Sequence, residues 1–219
     1  MGAPYQKTLT LSLIAAVANG VALSQAGTAA TPLTINGSLA TSSVATFDTA
    51  RRVGITSAGN DTTNTFTIVG TDYYGRPQTE VLAGASLGTA QTVRDFLTVS
   101  SVTPTNNTAA NVTVGTTNTG STPPHVLDVF ANPASISLAG IVTGSGVDYT
   151  AEQSYDDLSP NYNVNATPPT YFPTSLASQS GNASGVLTAP ATLLRLTLNS
   201  TGTGSVALRI VQASLAGAA

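Results

Sequence analysis

Three groups of side chains in this 219-residue chain have types and spacings that could do chemistry. The first is a serine within Gly84-Ala85-Ser86-Leu87-Gly88, followed by Asp95 and then by His125, the single histidine. A G-x-S-x-G nucleophile needs a strand before it and a helix after it, with its acid and histidine following in that order. Gln78–Leu82 reads as a strand, but Thr89–Asp95 is a poor helix, and no alternation of strands and helices surrounds it. Ser86 is therefore read as a loop residue, and His125, next to Pro124, as the start of a strand. The second group is acidic: Asp148, Glu152, Asp156 and Asp157. Paired carboxylates can hydrolyse glycosides or hold calcium. The D-x-D-x-D-G spacing of a calcium loop is missing, and Asp156-Asp157 follow a strand, where Asp is favoured because it bonds nearby backbone amides. A turn or rim role is expected, with no metal. The third group is Arg51-Arg52, which could meet an acidic partner or flank a strand in solvent.

Other chemistry is excluded by composition. There is no cysteine, so thiol catalysis, disulfides and thiolate metal sites are ruled out. No Gly-rich phosphate loop, dinucleotide fingerprint or zinc spacing occurs. The seven basic residues are scattered, which argues against nucleic-acid binding. Only 8% of residues are charged and the net charge is −3, whereas about a quarter are charged in typical globular domains. A surface of hydroxyls and amides with few charges is hard to keep soluble alone. It suits a protein docked in an assembly.

The elements that would position these groups are strands. Short alternating runs bounded by Gly, Pro, Asn and Asp dominate, the pattern of a sandwich or barrel. Arg52–Ser57, Thr65–Thr71 and Gln78–Leu82 read as strands, with reversals at Ala58–Asp61 and Asp72–Pro77. Phe96–Thr103 and Asn111–Gly115 read as a pair around Pro104–Ala110. Helical periodicity is nearly absent, and Thr8–Leu23 is its best candidate. Lys7 with Leu9–Leu23 also has the outline of a signal peptide, but Thr10, Ser12, Asn19 and Gly20 interrupt it. Thr116–Pro124 is the expected linker. Beyond it, Val126–Phe130, Ser135–Val142 and Tyr149–Tyr155 read as strands. Ser159–Gly185 is a long polar loop whose Tyr162, Tyr171 and Phe172 could touch a neighbour or be pinned at home. At the C-terminal end, Leu194, Leu196 and Leu198 alternate with Arg195, Thr197 and Asn199, and across Ser200–Gly204 Val206, Leu208 and Ile210 alternate with Ala207, Arg209 and Val211. This reads as a hairpin with one buried face, Arg195 and Arg209 outside. The expected architecture is an all-β antiparallel sandwich, jelly-roll-like, with an extended arm at 1–26 and β domains at 27–120 and 121–219.

Several stretches together resemble a known family. Gly20–Leu39 (GVALSQAGTAATPLTINGSL), Arg51–Val81 (RRVGITSAGNDTTNTFTIVGTDYYGRPQTEV) and Phe96–Gly115 are similar to the N-terminal half of a family of virion structural proteins from tailed bacteriophages. Tyr149–Asp157 (YTAEQSYDD), Pro168–Pro173 and Leu193–Gln212 resemble its C-terminal half. The likeness covers most of the chain and consists of turn and strand patterns. It implies a cement or decoration role on the capsid surface, with the major capsid protein and neighbouring copies as partners. It carries over no catalytic residue, cofactor or metal. Tyr162, Tyr171, Phe172, Arg51 and Arg52 are the expected partner contacts. Another virion part, such as a fibre or tail component, is one alternative; a secreted adhesin or carbohydrate-binding module is another.

Overall fold

The computed structural model describes residues 5–127, 136–156, 169–187, 190–200 and 202–212. The strands in chain order are β1 (Tyr5–Ser12), β2 (Ala22–Ala26), β3 (Ala40–Thr41), β4 (Val44–Ser57), β5 (Thr65–Thr71), β6 (Pro77–Ala83), β7 (Thr89–Gln91) and β8 (Phe96–Pro104). They continue with β9 (Asn111–Ser121), β10 (His125–Val126), β11 (Ile136–Thr143), β12 (Val147–Ser154), β13 (Phe172–Pro173), β14 (Ala183–Leu187), β15 (Leu193–Ser200) and β16 (Ser205–Gln212). The described residues contain no helix. The protein is all-β and antiparallel.

The chain divides into two compact units. Ile14–Gly120 forms one, inserted between Met1–Leu13 and Ser121–Ala219, which together form the other. The division at Gly120/Ser121 falls where the sequence placed it, whereas the expected arm at 1–26 and the expected linker are corrected. Tyr5–Ser12 is not a free arm: it is β1, paired along its whole length with β16. Its alternation places Leu9 and Leu11 inward, a strand period that overrides the helical reading of Thr8–Leu23. Thr116–Pro124 is not a linker either, because Thr116–Ser121 continues β9. A threonine-rich run suits a pleated, half-buried surface better than a solvated tether.

In the inserted unit, β4 organises the pairing. Its first residues pair with β3 and β8, and its later residues with β7 and β9. β8 pairs in turn with β5, and β5 with β6; β2 lies along β9. β4 thus stands between β8 and β9, which were expected to pair with each other. Phe47, Val53, Ile55, Phe66, Ile68, Phe96, Val102 and Val114 fill the core.

The other unit is a sandwich of two sheets. One has the order β1-β16-β11-β14. In the other, β12 pairs with β13 and β15, and β15 with β10. Leu9, Leu11, Leu138, Val206, Leu208 and Ile210 from the first sheet face Tyr149, Leu194, Leu196 and Leu198 from the second. Each such leucine, fully buried, is worth about 1.5–3 kcal/mol of transfer free energy. β15 and β16 are therefore core strands, but they do not form a hairpin. They belong to opposite sheets, and the intervening loop carries the chain across the core. β11 and β12 do the same through residues 144–146, where Gly144 and Gly146 adopt positive φ. Two runs that each bury one face gain more by closing on each other than by lying side by side with that face open.

Candidate functional site

Of the serine motif's three residues, Ser86 and Asp95 belong to the inserted unit and His125 to the other. Ser86 is exposed in the inserted unit, bridged to Asn60 after β6. The chain then passes Leu87 in left-handed conformation (φ 49°) and enters β7, not a helix. Asp95 is buried, its carbonyl accepting the Gln78 side-chain amide at 3.0 Å. His125 belongs to the sandwich unit, at the start of β10. Its ring stacks on Tyr5, with centroids 6.1 Å apart and planes 11° apart. Burial, and then the Lys7 cation, push its pKa below the ordinary 6.5.

The acidic group is used locally. Glu152 accepts Arg195 Nε and the Thr197 hydroxyl, each at 2.7 Å, across the β12–β15 pair. Asp156 accepts the Thr170 amide at 2.6 Å and the Ser154 hydroxyl at 3.2 Å. Asp148 is exposed on β12, and Asp157 lies outside the described residues. Among the described residues no three His, Cys, Asp or Glu side chains converge to hold a metal ion.

Two of the expected partner contacts, Tyr171 and Phe172, are neighbours at the start of β13 and pack on different side chains. The Tyr171 ring lies under the Arg195 guanidinium, 3.6 Å from ring centroid to Cζ. That contact, with the Glu152 ion pair, holds Tyr171 to the outer face of its own unit. Phe172 pairs through its backbone with Gln153, and its ring lies 5.9 Å from that of Tyr155 at a 49° tilt. Tyr155 and Phe172 remain 49% and 47% exposed, and the Gln153 amide donates to the Tyr155 hydroxyl at 3.0 Å. Past β13, Leu176 and Gln179 bond back to Ala151 and Tyr149 on β12, and β14 then pairs with β11. The described part of the Ser159–Gly185 stretch is thus built into the sandwich. Tyr162 lies outside the described residues.

Arg51 is not a surface contact: it is 1% exposed. Its guanidinium donates to the Ile14 carbonyl at 3.0 Å and lies 3.4 Å from the Asp48 carboxylate. Burial lowers its pKa and Asp48 opposes that shift. Its backbone pairs with Gly120. One residue therefore holds both ends of the inserted unit, Ile14 by side chain and Gly120 by main chain. Irregular register on both sides of Arg51 buries it next to buried Ala50, which strict alternation does not anticipate. Arg52 is half-buried, and its carbonyl accepts the Thr117 hydroxyl at 3.3 Å.

Two surface features lie outside the expected partner contacts. The turn between β5 and β6 presents Tyr73, Tyr74 and Arg76. Asp72 accepts the amides of Tyr74 and Arg76 at 2.8 and 2.9 Å, and Gly75 takes positive φ. Tyr74 is 51% exposed, with Arg76 Cζ 4.8 Å from its ring centroid. The second feature is the make-up of the outer sheet faces. On β6-β5-β8, cross-strand rows run Ala83-Thr65, Val81-Thr67-Thr103, Thr79-Val69-Ser101 and Pro77-Thr71-Thr98, none of them charged. The hydroxyls of Thr71 and Thr98 bond to each other at 2.8 Å, and those of Thr65 and Thr105 at 2.7 Å. On the sheet containing β1, the rows are Gln6-Val211-Ser137-Val186, Thr8-Arg209-Ala139-Ser184, Thr10-Ala207-Ile141 and Ser12-Ser205-Thr143. Arg209 is the one charge among those positions.

No family model and no curated protein matches this chain. Among solved structures, the insecticidal delta-endotoxin Cry8Ea1 from Bacillus thuringiensis is similar over 78% of this chain, at 11% identity and a TM-score of 0.22. The chain spans 53% of that toxin's length. A likeness this slight carries no argument about fold or function.

Proposed function

We propose that this chain is a non-enzymatic virion structural protein, a cement or decoration protein that stabilises the capsid shell of a tailed bacteriophage. The family resemblance of its turn and strand blocks motivates this reading. The observation that carries it is the near absence of charge on two outer sheet faces, those of β6-β5-β8 and β1-β16-β11-β14. Their rows are mostly Thr, Ser, Ala and Val with Arg209 as their one charge; the outer face of β12 and β15 carries Asp148, Glu152 and Arg195. Shell glue needs flat faces and sheet edges that make many shallow contacts. Each copy bound only to the assembled lattice stabilises it by mass action, and repeated sites multiply the effect. The partners are the major capsid protein and neighbouring copies on the capsid surface. The role needs no cofactor, nucleic acid or membrane. Purification from the native source tests the proposal. The chain should sediment with assembled particles, and adding it to particles that lack it should raise their melting temperature. Particles without it, or with unchanged stability on its addition, would overturn the reading.

A second reading, a carbohydrate-binding module, is favoured by the exposed Tyr155–Phe172 pair beside the Gln153 amide. Aromatic faces next to amides can stack on and hydrogen-bond a sugar ring. A glycan array separates the two readings: saccharide binding lost in Phe172→Ala would favour the module.

A further inference from the structure

The outer face of the β1-β16-β11-β14 sheet contains a hollow of about 310 Å3. Its origin is local. Ala139 stands between Arg209 and Ser184 in one cross-strand row, and Ser137 between Val211 and Val186 in the next. Small side chains on the middle strand, with larger ones beside them, leave a trough. Val186 is 54% exposed on one wall, and exposed Arg209 stands beside half-buried Val211 on the other. Arg209 takes part in neither of the ion pairs Arg51–Asp48 and Arg195–Glu152. Its row neighbours Thr8, Ala139 and Ser184 carry no charge. β14 is the terminal strand of this sheet among the described residues, so an edge for backbone pairing lies beside the hollow.

We infer that this hollow is the seat of an extended segment of the capsid lattice subunit carrying an Asp or Glu beside an apolar side chain. The inference rests on the capsid reading above. The partner's carboxylate meets the Arg209 guanidinium, whose planar fork matches it in two hydrogen bonds. The adjoining apolar side chain fills the trough over Ala139, between Val186 and Val211. An uncharged surround makes the single cation selective: a basic segment is repelled, and a neutral one leaves the guanidinium without its carboxylate.

Capsids lacking the protein are titrated with the full chain, and bound copies are counted after sedimentation. Arg209→Gln should weaken binding about tenfold or more. Arg209→Glu and Ala139→Trp should weaken it further, the first by repulsion and the second by filling the trough. Arg209→Lys should restore part of the loss, since it keeps the charge and loses the fork. Thr63→Glu, which adds a charge in the exposed loop between β4 and β5, outside the sheet faces, should bind as wild type. All these positions face outward, so thermal melting should be unchanged. If Arg209→Glu or Ala139→Trp fails to fold, the Gln and Lys variants carry the test. Absence of wild-type binding would overturn the capsid reading and this inference with it. Wild-type binding matched by all the Arg209 and Ala139 variants would overturn the hollow alone.

Discussion

At the residue scale the sandwich core is unforgiving. Leu196 is fully buried between the sheets. Leu196→Asp places an unpaired carboxylate there at a cost of several kcal/mol, and soluble folded protein should be lost; wild-type melting of that variant would contradict the assigned burial. Gly140 is constrained differently. A Cβ built on it would overlap the hydroxyl and ring of buried Tyr149, which donates to the Gly181 carbonyl at 3.2 Å. Gly140→Ala should destabilise by about 1–3 kcal/mol through overpacking, read as a lower urea midpoint with unchanged slope. His125 links stability to pH. Its folded pKa lies below the ordinary 6.5, so the unfolded chain binds the proton more tightly. Its contribution is complete above that value and is lost as pH falls from 6.5 towards the folded pKa. His125→Phe keeps a ring to stack on Tyr5 and removes the proton. The difference in stability between wild type and variant should therefore change with pH below 6.5 and be flat above it. A difference independent of pH would show that His125 is not held neutral by the fold.

At the element scale, the first residues decide more than a free arm would. β1 pairs with β16 from Tyr5–Gln212 to Ser12–Ser205 and contributes Leu9 and Leu11 to the sandwich core. Val21 and Ala22 are buried in the core of the inserted unit. Deleting residues 1–26 should therefore remove core from both units and abolish cooperative melting. A truncated chain that melts like the full chain would refute the pairing of β1. The expected C-terminal hairpin gives the complementary lesson. Period-2 alternation in Leu194–Leu198 and Val206–Ile210 correctly marks which side chains are buried. It is silent on whether the two strands share a sheet, because a hairpin and a crossing between sheets bury the same alternate residues.

At the scale of the whole molecule, low charge governs association. Exposed ion pairs are worth about 0–1 kcal/mol and are screened by salt, and the outer faces of β6-β5-β8 and β1-β16-β11-β14 offer one charge, Arg209, among their rows. Apart from the one Arg209–carboxylate pair inferred above, attachment to a lattice should come from apolar packing, hydroxyl and amide hydrogen bonds and backbone edges. It should therefore change little from about 0.1 to 1 M salt, over which the screening length shrinks to roughly 3 Å. Sedimentation of particles across that range checks this. Stepwise shedding as salt rises would assign the interface to electrostatics and sink this account of it.

What the sequence determined by itself is what local chemistry decides. The all-β class follows from short alternating runs and turn residues. The burial of Leu194, Leu196, Leu198, Val206, Leu208 and Ile210, and the outward placement of Arg195 and Arg209, follow from the two-residue period of a strand. The turn at Asp72–Arg76 follows from an Asp that bonds backbone amides and a Gly that tolerates positive φ. Only the tertiary structure decided the pairings between residues far apart in the chain. β1 closes on β16, and β4 comes between β8 and β9. Arg51 is buried against Ile14 and Asp48 by a register irregularity that breaks the alternation. Alternation specifies a face, whereas a partner strand is chosen by competition among many strands with the same pattern, settled when the whole core closes.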